Sequence, residues 1–164
     1  MDVGSRRVGV IRRARPEEGP FLTELTLRSK AYWGYDEEFM TSARADLAFE
    51  AAKFLPGFHV YVLEEGPLRL GFCSLLPLDA RTVELHDLFV EPGAIGKGYG
   101  RRLFDHAVGV ARELGYEAMI LTADPHAEAF YQKRGATRVG ERESNIQGGR
   151  MLPVMHLSLS KETP

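Results

Sequence analysis

The chain has 164 residues, enough for one domain with its own apolar core, and 44% apolar with 27% charged residues is ordinary globular composition. A net charge of −2 excludes a sequence-wide basic field for nucleic acid, and no apolar run approaches membrane-spanning length. The single cysteine, Cys73, cannot form an internal disulfide, and Met1 to Val10 lack the apolar core of a secretion signal. These features give the expectation of a cytoplasmic protein with neither nucleic acid nor a membrane as partner.

In chain order, Val8 to Arg13 reads as a first strand. Pro16 fits the first turn of a helix, where Glu17 and Glu18 favour the dipole, and Phe21, Leu22 and Leu25 face the core to about Ser29. Lys30 to Tyr35 is an aromatic connection. Asp36 caps a second helix with an apolar side of Phe39, Met40, Ala43, Leu47, Ala48 and Ala51, ended by Pro56-Gly57. Phe58 to Leu63 and Leu68 to Leu76 form a hairpin around Glu65-Gly66-Pro67, and Asp79 to Thr82 turns into a further strand. Without repeats, low-complexity tracts or linkers, residues 1–164 read as a single domain.

The segment from Val83 to Leu114 organises the rest. An apolar strand runs to Val90, a glycine-dense loop follows, and Leu103, Phe104, Ala107, Val108, Ala111 and Leu114 then recur at helical spacing. Strand, glycine loop and helix together hold a phosphate, because first-turn amides and the helix dipole face an anion that glycines let approach. Arg101 and Arg102 follow Gly100 where a Walker A loop needs Lys and Ser or Thr. Arg101 also stands where a dinucleotide fingerprint needs its third glycine. Gly115 closes the helix. Tyr116 to Ala123 is the next strand, and Asp124-Pro125 opens a short helix ending at Gly135. Thr137 to Glu143 and Met151 to Leu159 are the last strands, joined through Gly148-Gly149.

The phrase L-F-V-E-P and glycines at 96, 98 and 100 resemble the acetyl-CoA loop of the GNAT superfamily of N-acetyltransferases, whose usual form is [QR]-x-x-G-x-[GA]. Ile95 stands where that family usually has Arg or Gln. Asp124 to Ala136 is similar to the family's N-x-x-A-x-x-F-Y-x-x-x-G-F: Ala127, Phe130, Tyr131 and Gly135 match, while Asp124 replaces Asn and Ala136 replaces Phe. The resemblance implies an α+β GNAT fold, with a mixed, mostly antiparallel twisted sheet flanked by helices on both faces. It implies acetyl-CoA as cosubstrate. Ile95, Gly96, Lys97, Gly98, Tyr99, Gly100, Arg101 and Arg102 would hold the diphosphate. The main chain of Leu88, Phe89 and Val90, splayed from the next strand, would pair with the pantetheine arm. Asp124, Ala127, Phe130 and Tyr131 would line its other side.

Amine acetylation needs a proton acceptor for the amine and a donor for the leaving thiolate. Strand parity puts Glu84, His86 and Leu88 on one face and Leu85, Asp87 and Phe89 on the other. The resemblance makes Glu84 the preferred base, with His86 as rival or as holder of a water; a solvated carboxylate and a hydrogen-bonded strand histidine are the plain readings. Asp87, pointing away, ties the sheet to a helix or loop. Tyr131 matches the family's general acid, with an inward-packed aromatic as its plain reading. Tyr32, Trp33 and Tyr35 are the candidate acceptor pocket. Asp36, Glu37 and Glu38 read first as first-turn acids, and Lys133 and Arg134 as solvated helix charges, with contact to the 3′-phosphate as the rival. Cys73 reads as a buried strand residue, and His59, His106, His126 and His156 show no ligand spacing, so no metal is inferred. The expectation is an N-acetyltransferase moving acetyl from acetyl-CoA to a primary amine by direct attack, in a monomer or homodimer. The alternative is a non-catalytic acyl-CoA-binding module.

Overall fold

A computed structural model describes residues 9–46, 57–144 and 150–160, and within them one seven-stranded sheet carries helices on both faces. The strands are β1 (Val10–Arg13), β2 (His59–Glu65), β3 (Leu68–Pro77), β4 (Thr82–Val90), β5 (Ala118–Thr122), β6 (Thr137–Glu143) and β7 (Met151–Ser158). Their spatial order is β1-β2-β3-β4-β5-β7-β6. Every neighbouring pair is antiparallel except β4 and β5. The helices are α1 (Gly19–Tyr32), α2 (Glu37–Asp46), α3 (Tyr99–Glu113) and α4 (Glu128–Lys133).

The periodicity of α3 is realised as predicted. Leu103, Phe104, Ala107, Val108 and Ala111 are buried against Leu75, Val83, Leu85, Met119 and Met155 on one face of the sheet. Removing a side chain the size of Leu103 or Phe104 from water is worth about 1.5–3 kcal/mol. On the opposite face Leu22 and Leu25 of α1 pack on Val60, Val62 and Phe72. Gly71 lets α3 approach the sheet closely, since a Cβ there would stand 2.8 Å from the Phe89 carbonyl and 2.9 Å from Leu103 Cδ1.

Several boundaries move, each for a local reason. Pro16–Glu18 is a separate 3₁₀ turn, and α1 continues through Lys30, Ala31 and Tyr32 until Gly34 takes a φ of 82°. Asp36 caps α2 as expected, its Oδ1 accepting from the Phe39 amide at 2.7 Å. α3 starts at Tyr99, two residues early, because Gly98 at φ 85° supplies its N-cap. Ahead of α4 lies a 3₁₀ turn, Pro125–Ala127, with the Asp124 side chain accepting from the His126 amide. The expected strand residue Val8, the far half of the second helix and the Gly148-Gly149 link lie outside the described residues.

Two features set β4 apart from the other strands. It pairs with β5 only from Thr82 to Glu84, opposite Ala118 to Ile120, and then runs on to Val90 without that neighbour. It also carries a bulge: Leu75 faces Leu85 and Ser74 faces Asp87, so His86 is an extra residue in the ladder. The expected alternation is therefore corrected. Val83 and Leu85 face α3 before the bulge, and Leu88 and Val90 do so after it. Glu84 and Asp87 end on the same face, opposite to Leu88. Asp87 there accepts a 2.6 Å hydrogen bond from the buried Ser74 hydroxyl, a tie to the neighbouring strand rather than to the expected helix or loop.

Candidate active site

Where β4 and β5 part, a cleft of about 480 Å³ opens. Leu85, His86, Leu88, Phe89 and Val90 of β4 form one wall, and Thr122, Ala123, Asp124, Ala127, Phe130, Tyr131 and Arg134 the other. The turn after β4 and the start of α3 close one end with Ala94, Ile95, Gly96, Gly98, Gly100 and Arg101. The last turn of α1 adds Ser29, Lys30 and Trp33.

The α3 end is built for an anion. Gly96 and Gly98 both sit at φ 85°, a left-handed backbone that costs other residues about 1–2 kcal/mol. The amides of Tyr99, Gly100 and Arg101 have no intrahelical acceptor at this terminus. The turn itself satisfies the Ile95 amide on the Pro92 carbonyl and the Arg102 amide on the Gly98 carbonyl. Phe130 lies against this first turn, 3.6 Å from where a Gly100 Cβ would be.

Of the residues expected around the diphosphate, three point their side chains elsewhere. Because α3 begins at Tyr99, Arg102 turns toward β1 and donates to the Gly9 carbonyl. The Tyr99 hydroxyl donates to Glu65 at 2.7 Å, and Lys97 is exposed off the cleft. That leaves the loop's main chain and the Arg101 side chain at that end of the cleft.

Tyr131 lines the cleft and is buried between Phe104 and Phe130. Burial first, then the neighbouring Cys73 and Asp124, raises its phenol above the ordinary range. Cys73 is fully buried, and burial pushes its thiol up to about 12, so it remains a protonated core residue. On the opposite wall His86 faces the cleft, while Glu84 stands outside the lining residues and holds His86 Nδ1 at 2.5 Å. That hydrogen bond lowers the Glu84 carboxyl despite burial, so Glu84 remains a carboxylate.

At the α1 end, of the three expected aromatics only Trp33 lines the cleft. It stacks on His126, with centroids 4.9 Å apart and planes 5° apart. Tyr32 is 53% exposed and meets Trp33 edge-on. Tyr35 belongs to a polar hub instead: its hydroxyl donates to Asp124 Oδ2 at 2.7 Å. Lys30 Nζ donates to the same oxygen at 2.9 Å, and Arg150 donates to both Tyr35 and Asp124. Burial alone would push the Asp124 carboxyl up, but the Lys30 charge, the His126 amide and the Lys30 and Tyr35 hydrogen bonds hold it at about 2. Burial and the bond to Asp124 push the Tyr35 phenol up to about 12.

Sequence reasoning missed Lys30, His126 and Arg150, and left Arg134 between a solvated charge and a phosphate contact. His126 carried the nearest thing to a signal, since it follows a capping Asp-Pro pair at the mouth of the parted strands.

The comparisons agree with this geometry. A family model described as the acetyltransferase (GNAT) family matches residues 22–136. The 5-NmdU N-acetyltransferase of Pseudomonas phage PaMx11 is 28% identical over 80% of this chain and 89% of its own. The peptidyl-lysine N-acetyltransferase YjaB of Salmonella typhimurium is 28% identical over 90% of this chain and 95% of its own. Among solved structures, an aminoglycoside 6'-N-acetyltransferase complexed with coenzyme A shares the fold, with a TM-score of 0.73 at 17% identity over 94% of this chain and 99% of its own. A parted parallel strand pair, a glycine-capped helix facing the gap and a matching family model lead to one conclusion: the chain belongs to the GNAT acetyltransferase family and is an N-acetyltransferase that draws on acetyl-CoA.

Proposed function

We propose that the cleft between β4 and β5 transfers acetyl to a primary amine delivered past Trp33, with His86 and Tyr131 handling the protons. The observation that carries this reading is the placement of these two side chains on facing walls of one cleft. Bound acetyl-CoA supplies an activated thioester. The site suits it: amides of the Gly98-to-Arg101 turn face a diphosphate, and the main chain of Leu88 to Val90, past its last pairing with β5, can align a pantetheine arm.

The amine nitrogen attacks the thioester carbon, a carbon–nitrogen bond forms, and the carbon–sulfur bond breaks. His86 takes the proton from the amine, directly or through a water. Glu84, already hydrogen-bonded to Nδ1, orients the ring and offsets its charge. This reverses the order expected from sequence, in which Glu84 comes first: the imidazole is on the cleft and the carboxylate is behind it. Tyr131, kept protonated by burial, gives its proton to the departing sulfur. The acceptor is held between the Trp33–His126 stack and Phe89, and the setting is cytoplasmic.

Turnover read as free thiol release over a panel of amines tests the assignment. Tyr131→Phe and His86→Ala should each lower kcat about a hundredfold while CoA affinity stays within about twofold. Wild-type kcat in both variants refutes these roles without touching the family.

A further inference from the structure

Arg134 ends α4 with its guanidinium 4.4 Å above the Phe130 ring, and it lines the cleft. Its Nε is buried with no hydrogen-bond partner, and among the described residues it has no ion pair. Other cations around the site are engaged: Lys30 and Arg150 by Asp124, Arg28 by Glu91, Arg102 by the Gly9 carbonyl, and Arg101, at the cleft's other end, by Asp105 at 3.9 Å. Lys133, one residue earlier, is exposed.

Phe130 ties Arg134 to the anion-facing end. The same ring that carries the guanidinium packs on Gly100, in the first turn of α3. A guanidinium seated over an aromatic ring can keep N–H donors for a ligand, and an arginine fork matches phosphate oxygens. The loop entrance, by contrast, presents the apolar Ile95. The geometry points to Arg134 as the side-chain phosphate clamp of this cleft: it grips a phosphate group of the coenzyme from the α4 side while the α3 amides grip from the other. The inference rests on acetyl-CoA occupying the cleft, and of the two readings the sequence left for Arg134 it takes the phosphate contact over the solvated helix charge.

Two phosphate sources exist on the coenzyme, the diphosphate and the 3′-phosphate, and the test separates them. CoA and 3′-dephospho-CoA are titrated calorimetrically into wild type, Arg134→Leu and Arg134→Lys, and KM is measured with acetyl-CoA and with acetyl-pantetheine, which has no phosphate. Arg134→Leu should bind CoA about tenfold more weakly, with Arg134→Lys in between. The KM for acetyl-pantetheine should stay at the wild-type value. If the tenfold gap closes with dephospho-CoA, the 3′-phosphate is the partner; if it persists, the diphosphate is. Thermal melts of the variants report on folding. Unchanged CoA affinity in Arg134→Leu, or an equal loss with acetyl-pantetheine, overturns the clamp. Failure of the wild type to bind CoA at all would instead overturn the cofactor reading itself.

Discussion

Glu18 and Asp124 are both acids ringed by cations, and the contrast between them separates what holds the fold from what shapes the site. Glu18 is 3% exposed and meets Arg12 through both carboxylate oxygens, at 2.6 and 3.0 Å. It also accepts from the Arg15 amide and pairs with Arg15 and Arg69. All of these lie on β1, on β3 or in the turn beside it, and none of them lines the cleft. The partners of Asp124 come from α1, from the α1–α2 connection and from the residue before β7, and they converge beside the cleft. One hub fastens a sheet edge; the other draws three separate stretches of chain around an opening.

Breaking each hub should have different consequences. Glu18→Ala leaves Arg12 without its main partner and should cost about 3 kcal/mol of stability in urea unfolding, while kcat/KM of the folded enzyme stays near wild type. A comparable loss of kcat/KM would show that the two hubs are coupled. Asp124→Asn keeps the cap on His126 but removes the charge that Lys30 and Arg150 share. It should cost about 2 kcal/mol of stability and also lower kcat/KM about tenfold. An effect on stability alone would reduce Asp124 to a second Glu18.

Acid sharpens the comparison. Arg12 holds the Glu18 carboxyl at about 2 against burial, and Asp124 is also held at about 2, whereas their ordinary values are 4.5 and 3.8. A depressed folded-state pKa contributes stability above the unfolded value and loses it as pH falls toward the folded one. Melting temperature should therefore decline from about pH 4.5 toward pH 2, and the decline should be shallower in Glu18→Gln. An unchanged slope in that variant would remove Glu18 from the account. The smallest expected effect is at the helix cap: Gly98→Ala, at φ 85°, should cost about 1 kcal/mol and weaken CoA binding.

What sequence revealed and what it hid divide along the same line. The glycine loop, the α3 stripe and the Asp124 cap were legible because each is decided within a few residues. The partners of Asp124 were not, because Lys30 and Tyr35 are separated from it by 94 and 89 residues. The direction of Arg102 was hidden by two residues of helix register, and helix registers turn by about 100° per residue. Glu18 read as a first-turn acid, which describes its position but not its burial. Strand parity failed at His86 because a bulge leaves no mark on an apolar–polar pattern.

That bulge has a corollary for how the histidine came to be available. Were position 86 excised, Leu85 would still stand across from Leu75 and Asp87 across from Ser74, now as consecutive rungs. The ladder closes without the imidazole, whose contacts are with the Glu84 and Phe58 side chains and not with a rung. Exchanging that side chain therefore leaves every strand pairing of β3 with β4 in place, and the chemistry at this spot can change while the register behind it stays the same.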